Sequence, residues 1–360
     1  MAEPLKNQLD KAFILDLADL LKRYERSFHK DAFVKVVLDK NWDNRELKDR
    51  TNHVAASMME AITGTYTDKI NTLRKVAPSF KGLKAFVFPA TVEHFGIDYP
   101  EASFAALEEF TQYSTGEFAI RPFILRHREK AEQQILKWTK HSNEHVRRLA
   151  SEGIRPLLPW ASPLKCYKDD PSFVLKVVQK LLHDPSEYVR KSVANNLNDI
   201  SKNHPDKVIA FTAKNIGKNA LTDKLLHHAC RTLLKSGNQE TLELFGHSKH
   251  SNIQIQQLKV LPEKVRIGDT LHFQFTLKSA ETNPQKLRIE YKIYFAKKNG
   301  TLSPKVFQLA RGLYQKGTAA FNRTHRFTDF TTRKHYPGKH ILAVIVNGVE
   351  KTRCSFTVYS

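Results

Sequence analysis

A chain of 360 residues is too long for one ordinary domain and comfortable for two. Hydrophobic residues make up 41%, which excludes wholesale disorder, and no apolar run approaches the roughly 18 residues of a spanning helix. The net charge of +21 suits a polyanionic partner, nucleic acid before an anionic membrane surface. The excess is uneven, +8 over residues 1–250 and +13 over residues 251–360.

The N-terminal MAEPLKNQLDKAF carries acidic residues and no apolar segment, so it does not read as a secretory leader. From there to about residue 246 the chain reads as helical. LDKAFILDLADLLKRY and SFVLKVVQKLL place apolar residues at helical spacing. Punctuation recurs at Asp170-Pro171-Ser172 and Asp184-Pro185-Ser186 before helices and at Ser236-Gly237-Asn238 after one. HSNEHVRRLASEGIRPLL (141–158) aligns with DPSEYVRKSVANNLNDIS (184–201) at an offset of 43 residues, and FAIRPFI (118–124) shares Ile-Arg-Pro with GIRPLL (153–158). A short turn, then V-R-[RK], then an apolar-patterned helix is the form of a HEAT repeat, whose stacked helix pairs make a curved solenoid with a concave face. From about Ile253 the period falls to two. Leu271, Phe273, Phe275 and Leu277 alternate with polar residues, as do Leu287, Ile289, Tyr291, Ile293 and Phe295. Asn347-Gly348 separates two strand-like runs as a hairpin turn would. The fold class expected is therefore multidomain, α then β: a HEAT-like α-solenoid over 1–246 and a β-sandwich over 247–360.

The helix from Glu144 divides into an apolar stripe (Val146, Leu149, Ala150, Gly153, Ile154) and a polar one (Arg148, Ser151, Glu152, Arg155). The next repeat does the same, with Lys191, Asn195, Asn198, Asp199 and Lys202 on the polar side. A carboxylate inside a basic stripe is thus presented twice. Intrahelical salt bridging explains each singly. On a concave face that binds a polyanion, acids otherwise need a reason, such as a cationic substrate or a developing positive charge. Trp160 lies in a turn fixed by Pro156 and Pro159; it is either a core anchor or a surface for stacking on sugar or base. Glu117 reads as a first-turn acid favoured by a helix dipole. No Walker A loop, dinucleotide fingerprint or HExxH is present. Cys166, Cys230 and Cys354 form neither a zinc spacing nor a disulfide framework, and HHAC at 227–230 is a poor metal cluster. No metal and no cofactor are expected, and a reduced, cytoplasmic protein is the simplest reading.

QYSTGEFAIRPF, VRRLASEGIRPLLPW and VRKSVANNLNDISKNHPD resemble the corresponding segments of the AlkC branch of the AlkC/AlkD HEAT-like DNA glycosylases, over about residues 1–246. Residues 247–360 resemble the immunoglobulin-like domain that one AlkC subgroup carries. The resemblance implies a monofunctional DNA glycosylase that excises N-alkylated bases, notably N3-methyladenine, from duplex DNA without flipping the base. Carried over by motif, the catalytic residues would be Glu117, Glu152, Trp160 and Asp199. Phosphate contacts are expected from Arg147, Arg148, Arg155, Arg190, Lys191 and Lys202. Arg333 and Lys334 are expected to contribute from a basic loop of the β domain. The partner implied is double-stranded DNA with alkylated bases, met by a monomer in the bacterial cytoplasm, with no membrane and no obligate protein partner. The alternative is a non-catalytic HEAT protein that binds DNA or senses its structure, with the same basic stripe and no use for the acids.

Overall fold

The computed structural model describes residues 3–247, 252–329 and 334–360. It divides into two compact units, 1–204 with 219–229, and 205–218 with 230–360.

The first unit is helical throughout. Helix Lys11–Tyr24 buries Phe13, Ile14, Leu17, Ala18 and Leu21 along one stripe, and its first turn is capped by Asp10, whose carboxylate accepts from the Phe13 amide at 2.7 Å. Helix Ser172–Leu181 likewise buries Val174, Val177, Val178 and Leu181. Each such Val, Leu, Ile or Phe side chain taken from water stabilises the fold by roughly 1.5–3 kcal/mol.

The two aligned segments form equivalent structures. Helices Glu144–Glu152 and Glu187–Ile200 pack on each other. Ahead of each, a turn is held by the arginine that follows the motif valine. Arg147 donates to the carbonyls of His141 and Ser142 at 2.9 and 2.7 Å; Arg190 donates to those of Asp184 and Pro185 at 2.7 and 2.8 Å. The bonds obey the 43-residue offset atom for atom. Arg147 also reaches forward to Asp184 of the next turn at 2.7 Å, which ties one repeat to its successor. The stripes behave otherwise than the sequence suggests. Ser151, Glu152, Arg155, Asn198 and Asp199 are buried together with the apolar positions. The following helix covers the polar side: Ser192 and Asn196 hydrogen-bond to Ser151.

The second unit contains all eight strands of the described residues. They are β1 (Ile253–Leu261), β2 (Lys264–Arg266), β3 (Thr270–Ser279), β4 (Gln285–Ala296), β5 (Leu302–Tyr314), β6 (Gly317–Arg326), β7 (Gly338–Val346) and β8 (Val349–Tyr359). They form a three-stranded sheet, β1-β3-β6, and a five-stranded sheet, β2-β8-β7-β4-β5. All neighbours are antiparallel except β2 and β8. The period-two residues of β3 and β4 make the core between the sheets; Phe273 meets Tyr291 with ring centroids 4.9 Å apart. On the other side of β4, Arg288 and Glu290 are also buried and pair at 2.6 Å. Asn347 and Gly348 both have positive φ, +46° and +79°, as a two-residue hairpin of this type requires. Among the described residues no helix is long and apolar enough to cross a membrane.

Within this unit helices Arg231–Ser236 and Gln239–Leu244 precede the strands. The chain leaves them through His247, which is fully enclosed. Its Nδ1 lies 3.2 Å from the Lys286 carbonyl and its Nε2 has no partner among the described residues. Burial lowers its pKa from 6.5 to about 4. The unfolded chain therefore takes up a proton at a pH where the folded one does not, so stability is full above pH 6.5 and falls as the pH drops towards 4. The loss at the acid end is about 3 kcal/mol. In denaturant titrations at stepped pH, His247→Gln should flatten this limb relative to the unaltered chain. An identical acid limb in both would show that His247 is not its source.

Candidate active site

Helix Glu144–Glu152 stops at Gly153, where a methyl group would lie 2.4 Å from Ile120 Cγ2. Only glycine lets the turn before helix Arg121–Arg126 lie against this helix end. That turn carries Glu117. It is four residues upstream of the helix, so the helix-dipole explanation expected from sequence does not hold. Instead its Oε2 accepts from Thr115 Oγ1 and from Arg148, which also donates to Thr115 Oγ1 at 3.0 Å.

From Glu117 a line of alternating charges runs through two repeats. Arg148 stands 3.6 Å from Glu152 Oε1, which Arg155 also holds at 2.8 Å. Through its Nε, Arg155 donates to Asp199 Oδ2 at 2.9 Å, and Lys202 approaches Asp199 Oδ1 at 3.5 Å. The second Glu152 oxygen accepts from Ser192 Oγ at 2.6 Å. The two carboxylates read from sequence as separate presentations thus meet on one guanidinium. They are nearly inaccessible, Glu152 at 5% and Asp199 at 2% exposure, and three acids alternate with three cations. Burial of this kind is tolerable only because every charge is paired. Burial alone pulls Arg148 and Arg155 down, but the carboxylates more than offset it and leave both above the ordinary arginine value.

The oxygens are unequally engaged. Both Glu152 oxygens are held by arginine or serine. Among the described residues Glu117 Oε1 accepts no hydrogen bond, and Asp199 Oδ1 has only the long contact to exposed Lys202.

Trp160 is not a core anchor. It is 78% exposed, the most exposed large apolar side chain of the described residues, and its backbone is left-handed at φ +65°. For a residue of this size that conformation is strained.

The expected phosphate ligands divide into two groups. Lys191 and Lys202 are exposed. Arg147 and Arg190 hold the inter-helix turns, and Arg148 and Arg155 belong to the buried charge line. Lys334 is exposed in the loop before β7, and Arg333 lies outside the described residues. Sequence reasoning did not single out Thr115, Ser192, Tyr188 or Arg121. Tyr188 lies over the Arg148 guanidinium, 4.8 Å from its ring centroid, and so covers the charge line on that side. Arg121 was legible only through the Ile-Arg-Pro it shares with Arg155.

Residues 107–244 match the family described as DNA alkylation repair enzyme, and residues 254–360 match the C-terminal Ig-like domain of YhaZ. The chain is 43% identical over 355 residues to the uncharacterized protein YhaZ of Bacillus subtilis (strain 168), covering 98% of this chain and 99% of that one. It is 33% identical to Pseudomonas fluorescens alkylpurine DNA glycosylase AlkC, solved bound to DNA containing an abasic site analog. The TM-score is 0.94, over 99% of this chain and 100% of that chain. With a helical array and a terminal Ig-like domain shared over nearly their whole lengths, this chain belongs to the AlkC branch of the HEAT-like repeat DNA glycosylases.

Proposed function

We propose that the chain is a monofunctional DNA glycosylase. It would act as a monomer on duplex DNA and hydrolyse the N-glycosidic bond of cationic alkylated bases such as N3-methyladenine without flipping them, leaving an abasic site. The observation that carries this reading is the line of buried, arginine-ordered carboxylates inside a chain of net charge +21. Docking of the repeats accounts for the saturated Glu152, but not for Glu117 Oε1 and Asp199 Oδ1, which are left without a close partner among the described residues.

Their arrangement suits the chemistry. Alkylation at N3 leaves adenine positively charged, so it departs as a neutral base and needs little protonation. The barrier is then the oxocarbenium-like sugar and the delivery of water, tasks that carboxylates perform in glycoside hydrolysis. The oxygens least engaged by hydrogen bonds are Glu117 Oε1 and Asp199 Oδ1. Glu152, saturated on both oxygens, orders Arg148 and Arg155 and through them the other two acids. Charges fixed before the reaction need no reorganisation during it. The exposed Trp160 offers a π face to the cationic base or its deoxyribose. A side chain presented on a turn, rather than the closed pocket a flipped base requires, supports attack on a base still in the helix. Lys202, the lysine of the charge line, is exposed and beside Asp199, unlike the desolvated lysine of an imine-forming enzyme.

The direct test incubates the chain with duplex DNA carrying N3-methyladenine and measures the base set free. Release is expected; binding without release would make the protein a sensor of DNA damage rather than an enzyme. Glu117→Gln and Asp199→Asn should each lower the single-turnover rate by about a hundredfold or more. Affinity for DNA should stay equal or rise, since a negative charge is removed. Glu152→Gln should lose activity too, and should also lose about 2 kcal/mol of stability, because Arg148 and Arg155 each lose one of two carboxylates and keep only Glu117 and Asp199. Wild-type rates in Glu117→Gln and Asp199→Asn would remove those acids from the mechanism.

A second prediction separates exposed from structural cations. Lys191→Glu should weaken binding to damaged and undamaged duplex by the same factor. It should also reduce the slope of log affinity against log salt by about 0.9 for each phosphate that is no longer neutralised. Arg147→Glu should instead lower the melting temperature sharply, because Arg147 holds both its own turn and Asp184. Loss of lesion preference in Lys191→Glu, with general affinity intact, would contradict a phosphate-binding role for that lysine.

A further inference from the structure

Arg121 opens helix Arg121–Arg126 and is only 6% exposed. Among the described residues it makes no ion pair. Its guanidinium donates instead to backbone carbonyls of one stretch of chain. Nη1 donates to Gly153 at 3.2 Å and to Arg155 at 3.0 Å, and Nη2 donates to Ser162 at 2.6 Å. Gly153 and Arg155 lead into the turn that carries Trp160, and Ser162 leads out of it. The turn has two closures of its own, Leu164 to the Pro156 carbonyl at 3.1 Å and Ala161 to that of Leu158 at 3.3 Å. The first of these also joins entry to exit, and the guanidinium adds to it by tying Gly153, Arg155 and Ser162 to a separate element, helix Arg121–Arg126.

Two features make this arrangement informative. A buried guanidinium without a carboxylate partner is unfavourable, and burial lowers it to about 10, still protonated at neutral pH. Trp160 is also held in a left-handed backbone with its side chain in solvent, so side-chain packing does not fix that conformation. A strained backbone persists only where its surroundings over-determine it. Gly153 completes the device, because its missing side chain is what lets the Ile120–Arg121 turn approach.

We propose that Arg121 is a positioning residue for base excision: by clasping both ends of the turn around Trp160, it sets the orientation in which the indole meets the lesion. This rests on the reading above that Trp160 takes part in excision. It predicts a loss of rate without a loss of binding, since a displacement of about 1 Å in a positioned group can lower a rate about a hundredfold.

The test combines a kinetic and a spectroscopic measurement. Trp42 and Trp138 are buried, at 7% and 1% exposure, so the iodide-quenchable fluorescence of this protein reports Trp160. Arg121→Lys keeps the charge but cannot span three carbonyls. It should speed the local depolarisation of the quenchable indole and lower single-turnover release of N3-methyladenine by about 10- to 100-fold. Affinity for undamaged duplex should be unchanged. In a Trp160→Ala background the same substitution should add little, because both changes disable one device. Pro159→Gly loosens the turn from its exposed side without disturbing the buried arginine, and should reproduce both signatures. The proposal is overturned if Arg121→Lys leaves indole motion and release unchanged, or if its losses add fully to those of Trp160→Ala. If Arg121→Lys does not fold, Pro159→Gly decides: a mobile indole with an unchanged release rate overturns the proposal. A wild-type chain that releases no base would instead defeat the glycosylase reading. The fluorescence comparison would still report whether Arg121 holds the turn.

Discussion

Arg155 holds Glu152 of its own helix with one nitrogen and Asp199 of the next repeat with another. Each of these groups is almost wholly removed from water. A carboxylate or guanidinium in such a place is admissible only with its counter-charge in contact, so the three must be buried together or not at all. This constraint reaches outward in both directions. Towards Glu117 it fixes Arg148, and towards the end of helix Glu187–Ile200 it fixes where Asp199 and Lys202 stand. The bonds that dock one repeat on the next are therefore the same bonds that orient the candidate reacting groups.

The sharing resolves an apparent conflict of charge. A surface for a polyanion should exclude acids, and the overall excess of positive charge does attract phosphate at long range. Inside the line, each acid is neutralised at short range by its neighbours, so the DNA backbone meets little net repulsion. Ordering is achieved when the protein folds, and the strained backbone at Trp160 belongs to the same account.

Periodicity identified what it physically encodes. The apolar stripes of helices Glu144–Glu152 and Glu187–Ile200, and the alternating residues of β3 and β4, are buried as their spacing implies. It could not tell whether the opposite, polar stripe faces water or a further helix. Ser151, Glu152 and Arg155 looked solvated because nothing in their spacing announces the helix bearing Ser192 and Asn196. The same blindness hid Arg288 and Glu290 on the far side of β4. The acids of the charge line were legible as candidates from the motif resemblance, but their partition into one saturated and two less engaged carboxylates depends on contacts across repeats. The left-handed backbone of Trp160 had no signal at all, since tryptophan has no preference for it.

The hairpin turn at Asn347-Gly348 and the helix end at Gly237 were separate punctuation marks in the sequence, yet in space they abut. A side chain at Gly348 would strike Leu242 at 2.5 Å and the Gly237 Cα at 3.2 Å, and one at Gly237 would meet the Gly348 carbonyl at 3.2 Å. Both glycines are also left-handed, at +76° and +79°. The two positions, 111 residues apart along the chain, thus behave as one locus: neither can drift to another residue without dislodging its counterpart. The sandwich accordingly could not be grafted onto a foreign helical array by joining ends alone. The helix pair that receives its hairpin would have to travel with it.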